Sequence, residues 1–194
     1  NISKLEPFKE IDDLCICFYG GEPLLKTRTI YKIMDMFPNA KYCFQTNATL
    51  LKTVKLDYLL RVDTILCSID GRPEITNRCR GQGTYERIME NVAYIKSVGF
   101  KNDIVARMTV SVEQQGDIYE EVMHLIKIGF PHVHWQLDCN WDTPDKQRIE
   151  EWCKWVMRVT ILALHVLLMS SNDSYEKTIQ FSQLLLSQEF SIVS

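Results

Sequence analysis

Residues 14–25, LCICFYGGEPLL, decide how the chain is read. The first six are apolar and few, the pattern of a short buried strand, and Gly20-Gly21 closes it. Beyond Glu22-Pro23, apolar residues recur at Ile30, Ile33, Met34 and Phe37. That spacing predicts a helix over 29–37, stopped by Pro38-Asn39. The same alternation then repeats down the chain. Strands are expected at 41–45 (KYCFQ), 64–70 (TILCSID), 103–111 (DIVARMTVS) and 132–138 (HVHWQLD). Helices are expected at 50–60, from Thr84 to a stop at Gly99, at 118–128, and from Pro144 to about Arg158.

Strand alternating with helix in this way is the mark of parallel βαβ units. The expected fold class is α/β, and either a doubly wound sheet or most of a (β/α) barrel would satisfy it. In both, chemistry gathers at the C-terminal ends of the strands. Those ends read Gly20-Gly21-Glu22, Gln45-Thr46-Asn47, Ser68-Ile69-Asp70-Gly71, Ser111 and Asp138-Cys139-Asn140. They are polar and glycine-rich, as a ligand-binding rim would be, although strand ends that merely turn have similar composition.

Composition narrows the function classes. The chain has 194 residues, 22 basic and 25 acidic, for a net charge of −3, so there is no electrostatic case for nucleic acid or an anionic membrane. The longest apolar run, 161–169, contains His165 and is too short to span a bilayer. Seven cysteines form an odd set in a chain too large to need staples, which points to reduced thiols and a cytoplasmic location. Residues 1–8 have no initiator Met and no signal-peptide pattern, and the expectation is a chain cut from a longer one. Residues 170–194 hold seven serines beside Ile179, Phe181, Leu184, Leu185 and Leu186, and read as a last helix or tail.

Three further side-chain groups are candidate sites. His132 and His134 share one face of a strand, as metal ligands can, but the sequence places no third ligand near them. Asp138, Asn140 and Asp142 could face a ligand or simply cap their loop. Trp135, Trp141, Trp152 and Trp155 read as packing residues, with stacking by Trp141 the alternative.

Taken in order, the rim segments resemble the radical S-adenosylmethionine (AdoMet) superfamily, and within it the branch of anaerobic sulfatase-maturating and related peptide-modifying enzymes. FYGGEPLL (18–25) is similar to the segment after the family's second barrel strand, and QTNATLL (45–51) to that after the third. SIDGRPEITNRCRGQGTYERIMEN (68–91) is similar to the fourth strand end and an arginine-bearing loop. The resemblance implies a partial TIM-type barrel over 1–169, its first strand and cluster loop missing. It implies that Gly20, Gly21 and Glu22 hold the ammonium of AdoMet's methionine, and that Ser68 and Arg80 supply donors to its carboxylate. Asn47 would face the ribose, and Asp70 belongs to the same cofactor-binding set. Read without the resemblance, Glu22 is a helix N-terminal carboxylate and Arg80 a solvated surface residue.

The sequence also departs from the family pattern. Ala48 replaces the glycine of Thr-Asn-Gly, Arg72 stands where proline is common after Asp-Gly, and Thr76-Asn77 where His-Asp is frequent. The family's [4Fe–4S] cluster is held by C-x3-C-x2-C, a spacing that Cys15, Cys17, Cys43, Cys67, Cys79, Cys139 and Cys153 do not contain, so no metal ligands are assigned. Cys15 and Cys17 are expected to pack in the core.

For the parent protein, the resemblance implies reduction of AdoMet by the cluster to a 5′-deoxyadenosyl radical, which takes a hydrogen atom from a peptide or protein substrate. An electron donor such as flavodoxin or ferredoxin is the implied partner. Alternatives are a glycyl-radical-enzyme activating enzyme, such as that of pyruvate formate-lyase, and a non-catalytic partial barrel with residual binding.

Overall fold

A computed structural model describes residues 2–110 and 118–138, with Lys154 and Met157 beyond them. Five strands form one sheet: β1 (Cys15–Phe18), β2 (Lys41–Thr46), β3 (Thr64–Ser68), β4 (Asp103–Val110) and β5 (His132–Leu137). They lie in sequence order, and every adjacent pair is parallel. A doubly wound sheet reverses its strand order at a switch point, whereas a barrel adds each strand on the same side. The order therefore selects the barrel. Among the described residues β1 and β5 are edges, so the sheet is a partial barrel wall.

The helices are α1 (Thr27–Met36), α2 (Leu56–Leu59), α3 (Pro73–Arg80), α4 (Thr84–Ser97) and α5 (Ile118–Lys127). One sheet face packs into the core. Phe18, Tyr42, Phe44, Ile65, Cys67, Ile104, Ala106 and Met108 are buried there with Ile30 and Met34 of α1, Ile88, Val92 and Ile95 of α4, and Val122 and Leu125 of α5. The alternate residues Cys17, Cys43, Gln45, Leu66, Ser68, Val105, Arg107 and Thr109 are half-buried or exposed on the other face. That alternation is the period of a strand with one packed face.

Several sequence expectations change. The helix expected over 50–60 is split into a 3-10 turn (Leu51–Thr53) and the single turn of α2. Val54 and Lys55 are extended between them, and the Lys55 N–H leaves the helix ladder to donate to Tyr31 Oη, 2.8 Å away. The arginine-bearing loop is in fact helix α3, with Pro73 opening it, where its fixed φ costs nothing. A 3-10 helix over Ile2–Glu10 was not foreseen. Cys15 and Cys17 are exposed and do not pack in the core, because alternation gives Ile16 and Phe18 to the helix-covered face. Ser111, Cys139, Asn140, Trp141, Asp142, the helix expected from Pro144 and the tail at 170–194 lie outside the described residues, although Lys154 and Met157 are themselves helical.

Candidate cofactor site

The three rim segments stand at the ends of adjacent strands about 4.8 Å apart, and side chains tie each end to its neighbour. Glu22 follows β1 and caps the 3-10 turn Pro23–Lys26: its Oε1 accepts from Leu24 N at 3.0 Å. The same carboxylate reaches β2, where Oε1 accepts from Thr46 Oγ1 at 2.7 Å and Oε2 from Asn47 N at 2.8 Å. The N-terminal-carboxylate reading of Glu22 is thus correct as local structure. An ionised carboxylate has about four acceptor sites. Three are used, so one on Oε2 is free for a ligand.

Gly20 has a φ of +136°, and a Cβ built on Gly20 or Gly21 would meet nothing within 4 Å. The backbone beside Glu22 is therefore bare and approachable, as an ammonium seeking carbonyl acceptors requires. Asn47 turns its Oδ1 back on Thr49, accepting from its N at 3.0 Å and Oγ1 at 2.7 Å, which leaves Nδ2 as the donor it can offer. Ala48 adopts a φ of +59° with its methyl fully buried. The chain thus keeps the left-handed turn that glycine would take at that position, with an L-residue in it. Buried Asn91 closes the segment from behind, accepting from Lys52 N and donating to Arg87 O.

The β3 end is built differently. Asp70 is 1% exposed. Its Oδ1 accepts from Arg80 Nη2 at 2.8 Å and from Thr109 N of β4 at 2.9 Å. Arg80 Nε lies 2.6 Å from Asp70 Oδ2, but its N–H is not aimed at that oxygen, so the contact is an ion pair without a hydrogen bond. Arg80 is not a solvated surface arginine, because its Nε and Nη2 face Asp70; only Nη2 donates there, and its other N–H groups make no hydrogen bond to Asp70. The turn is further clamped from below. Thr76 Oγ1 accepts from Asp70 N and donates to Gly71 O. Fully buried Glu121 of α5 takes Arg72 N at 2.6 Å on Oε2, and Arg72 Nε and Nη2 at 2.9 and 2.6 Å on Oε1. Gly71 has a φ of +129°, and a Cβ there would stand 2.2 Å from Glu121 Oε2.

Glu121 was missed by sequence reading. It lies on α5, 49 residues beyond Arg72, and a lone glutamate in a helix carries no local mark. Arg72 was noticed only as a departure from proline, and the structure gives that departure its reason, since the arginine side chain neutralises Glu121. Beside this clamp, Tyr85 Oη and His124 Nε2 are 2.9 Å apart. Burial lowers the His124 pKa, while burial raises that of Tyr85.

Residues 4–126 match the Radical SAM superfamily. This chain belongs to that superfamily. Solved structures with the same fold include native anSMEcpe, an anaerobic sulfatase-maturating enzyme, with bound AdoMet and Kp18Cys peptide. That structure is 16% identical with a TM-score of 0.59, over 84% of this chain and 50% of the other. Native anSMEcpe with bound AdoMet and Cp18Cys peptide is 18% identical with a TM-score of 0.57, over 78% and 48%. Polyhistidine-tagged anSMEcpe with bound AdoMet gives 18% and 0.54, over 68% and 38%. This chain therefore spans half or less of the length of each. No curated protein matches it.

The superfamily implies AdoMet and a [4Fe–4S] cluster, and the chain's residues answer the two differently. The radical SAM rim fits the methionine end of AdoMet, with an open Glu22 oxygen, bare glycine backbone and the half-buried Ser68 beside it. The described residues do not fit the cluster: no group of three or more His, Cys, Asp or Glu among them is placed to hold a metal. His132 and His134 are exposed on β5 without a third ligand among the described residues. Among the described residues no helix is long and apolar enough to cross a membrane.

Proposed function

We propose that Gly20, Gly21, Glu22, Asn47 and Ser68 bind AdoMet along the rim formed by β1, β2 and β3. Asp70 and Arg80, assigned to the same set by sequence, act behind them and hold the Ser68 turn in place. The observation that carries this reading is Glu22. Its carboxylate locks the first rim segment to the second through three protein donors and still keeps one acceptor on Oε2, where a methionine ammonium can donate. Ser68 offers a hydroxyl to the methionine carboxylate, and Asn47 Nδ2 an amide donor to the ribose.

In this superfamily the bound AdoMet supplies one-electron chemistry that ends in hydrogen-atom abstraction. We infer that the parent enzyme directs it at a peptide or protein side chain, with a flavodoxin or ferredoxin as electron donor. The support is the order of the three segments, together with the fold shared with structures that contain AdoMet and a peptide.

The test is AdoMet binding by calorimetry to the chain and to Glu22→Gln. The amide keeps the size and one acceptor oxygen but loses the charge. Binding is expected to weaken about tenfold, while the loss of unfolding free energy stays near 1 kcal/mol. Equal affinity in the two proteins would move the ammonium site away from Glu22.

A further inference from the structure

The open face of the sheet carries a polar row that runs on from the AdoMet rim at Ser68 toward β5. Register sets Arg107 of β4 beside Ser68 of β3 on one side and beside His134 of β5 on the other. Two residues further along, Thr109 stands beside Gln136, and two residues back Leu66 and Val105 pair as an apolar floor. Arg107 Nη2 donates to Gln136 Oε1. That bond draws the guanidinium toward β5; the rim at β1 lies three strand spacings or about 14 Å away, and Ser68 one spacing or about 5 Å.

Among the described residues Arg107 pairs with no carboxylate, whereas Arg72 and Arg80 are ion-paired with Glu121 and Asp70. A guanidinium has five N–H donors, and Gln136 uses one. The remaining fork is half-buried beside His134, which has an N–H in either tautomer. A planar oxyanion is the ligand this arrangement complements, because two parallel charge-assisted hydrogen bonds satisfy the fork.

We propose that Arg107, with His134 and Gln136, binds a carboxylate of the second reactant, separate from the site of AdoMet's methionine. The inference rests on the AdoMet reading for what "second" means, and its test is independent of that reading. N-acetylglycine, a carboxylate next to a peptide bond, is titrated into the 194-residue chain while the arginine Nε–H resonances are followed by NMR. Saturable binding is expected, with no response to N-acetylglycinamide and no competition from AdoMet. Arg107→Gln should weaken it about tenfold, and Arg107→Lys, which keeps charge but not the fork, about threefold with an unchanged thermal midpoint. Glu22→Gln should leave it unchanged whatever happens to AdoMet, which separates failure of one reading from failure of the other. Undiminished binding in both Arg107 variants, displacement by AdoMet, or tighter binding of inorganic phosphate than of N-acetylglycine would each overturn the proposal.

Discussion

Glu22 and Asp70 are both carboxylates just past the end of a strand, and both reach across to the next strand. Glu22 is half-buried, and all three of its protein partners are neutral donors, so its charge is not cancelled and one acceptor stays open. Asp70 is fully buried against an arginine and a backbone N–H, both of which donate to its Oδ1, and its charge is paired with that arginine. On the proposed reading, the difference separates two tasks within the cofactor-binding set that the resemblance implies. A residue that keeps charge and a free acceptor at the rim can serve a ligand. A residue buried and charge-paired within its own chain serves the turn that presents the ligand's other contacts.

The sharpest way to break this contrast is Asp70→Ala. It leaves half-buried Arg80 without its ion-pair partner and the Thr109 N–H without its acceptor, and breaking a buried pair costs at most about 3–5 kcal/mol of stability, read by urea unfolding. A loss as small as that of Glu22→Gln would erase the distinction between scaffold and ligand group. Next in size is Gly71→Ala. The backbone conformation alone costs about 1–3 kcal/mol, and the new methyl also collides with Glu121. Combining it with Glu121→Ala in a double-mutant cycle should recover part of the loss, because the contacts with Oε2 and Cδ are removed while the one with Cβ, 2.7 Å away, stays; strict additivity would mean that the Glu121 carboxylate adds nothing to the effect of φ and the Cβ contact.

The smallest effect expected is in pH dependence. Burial holds His124 below its ordinary value of 6.5, so between the folded and unfolded values the unfolded chain binds more protons. Its contribution to stability is therefore complete above pH 6.5 and is lost as pH falls through the lowered folded value. Unfolding midpoints measured from pH 7.5 down to 5 should decline less steeply in His124→Gln than in the parent chain. Identical slopes would show that burial does not hold the folded His124 below its ordinary value.

Much of this was legible in the amino-acid sequence. Five apolar runs separated by amphipathic stretches read as parallel strands joined by crossover helices, and the glycines and polar residues at their ends marked the rim. The rest depended on partners far apart in the chain. Cys15 and Cys17 show the limit at short range: alternation put them on one face, but not on the covered face, since which face the helices cover is a property of the assembled sheet.

The positions of the strands and of the turns that follow them were thus set by the sequence itself, because hydrophobic period and turn chemistry act over two to four residues. Tertiary structure alone chose the barrel order of the strands over the doubly wound one. It alone decided that Arg80 belongs to Asp70 and Arg72 to Glu121, and that the arginine left open beside Ser68 is Arg107. An ion pair spanning 10 or 49 residues forms only where two packed elements bring its halves together. No local pattern records that approach, because charge carries no period and the tilt of a helix on its sheet is fixed by the whole core.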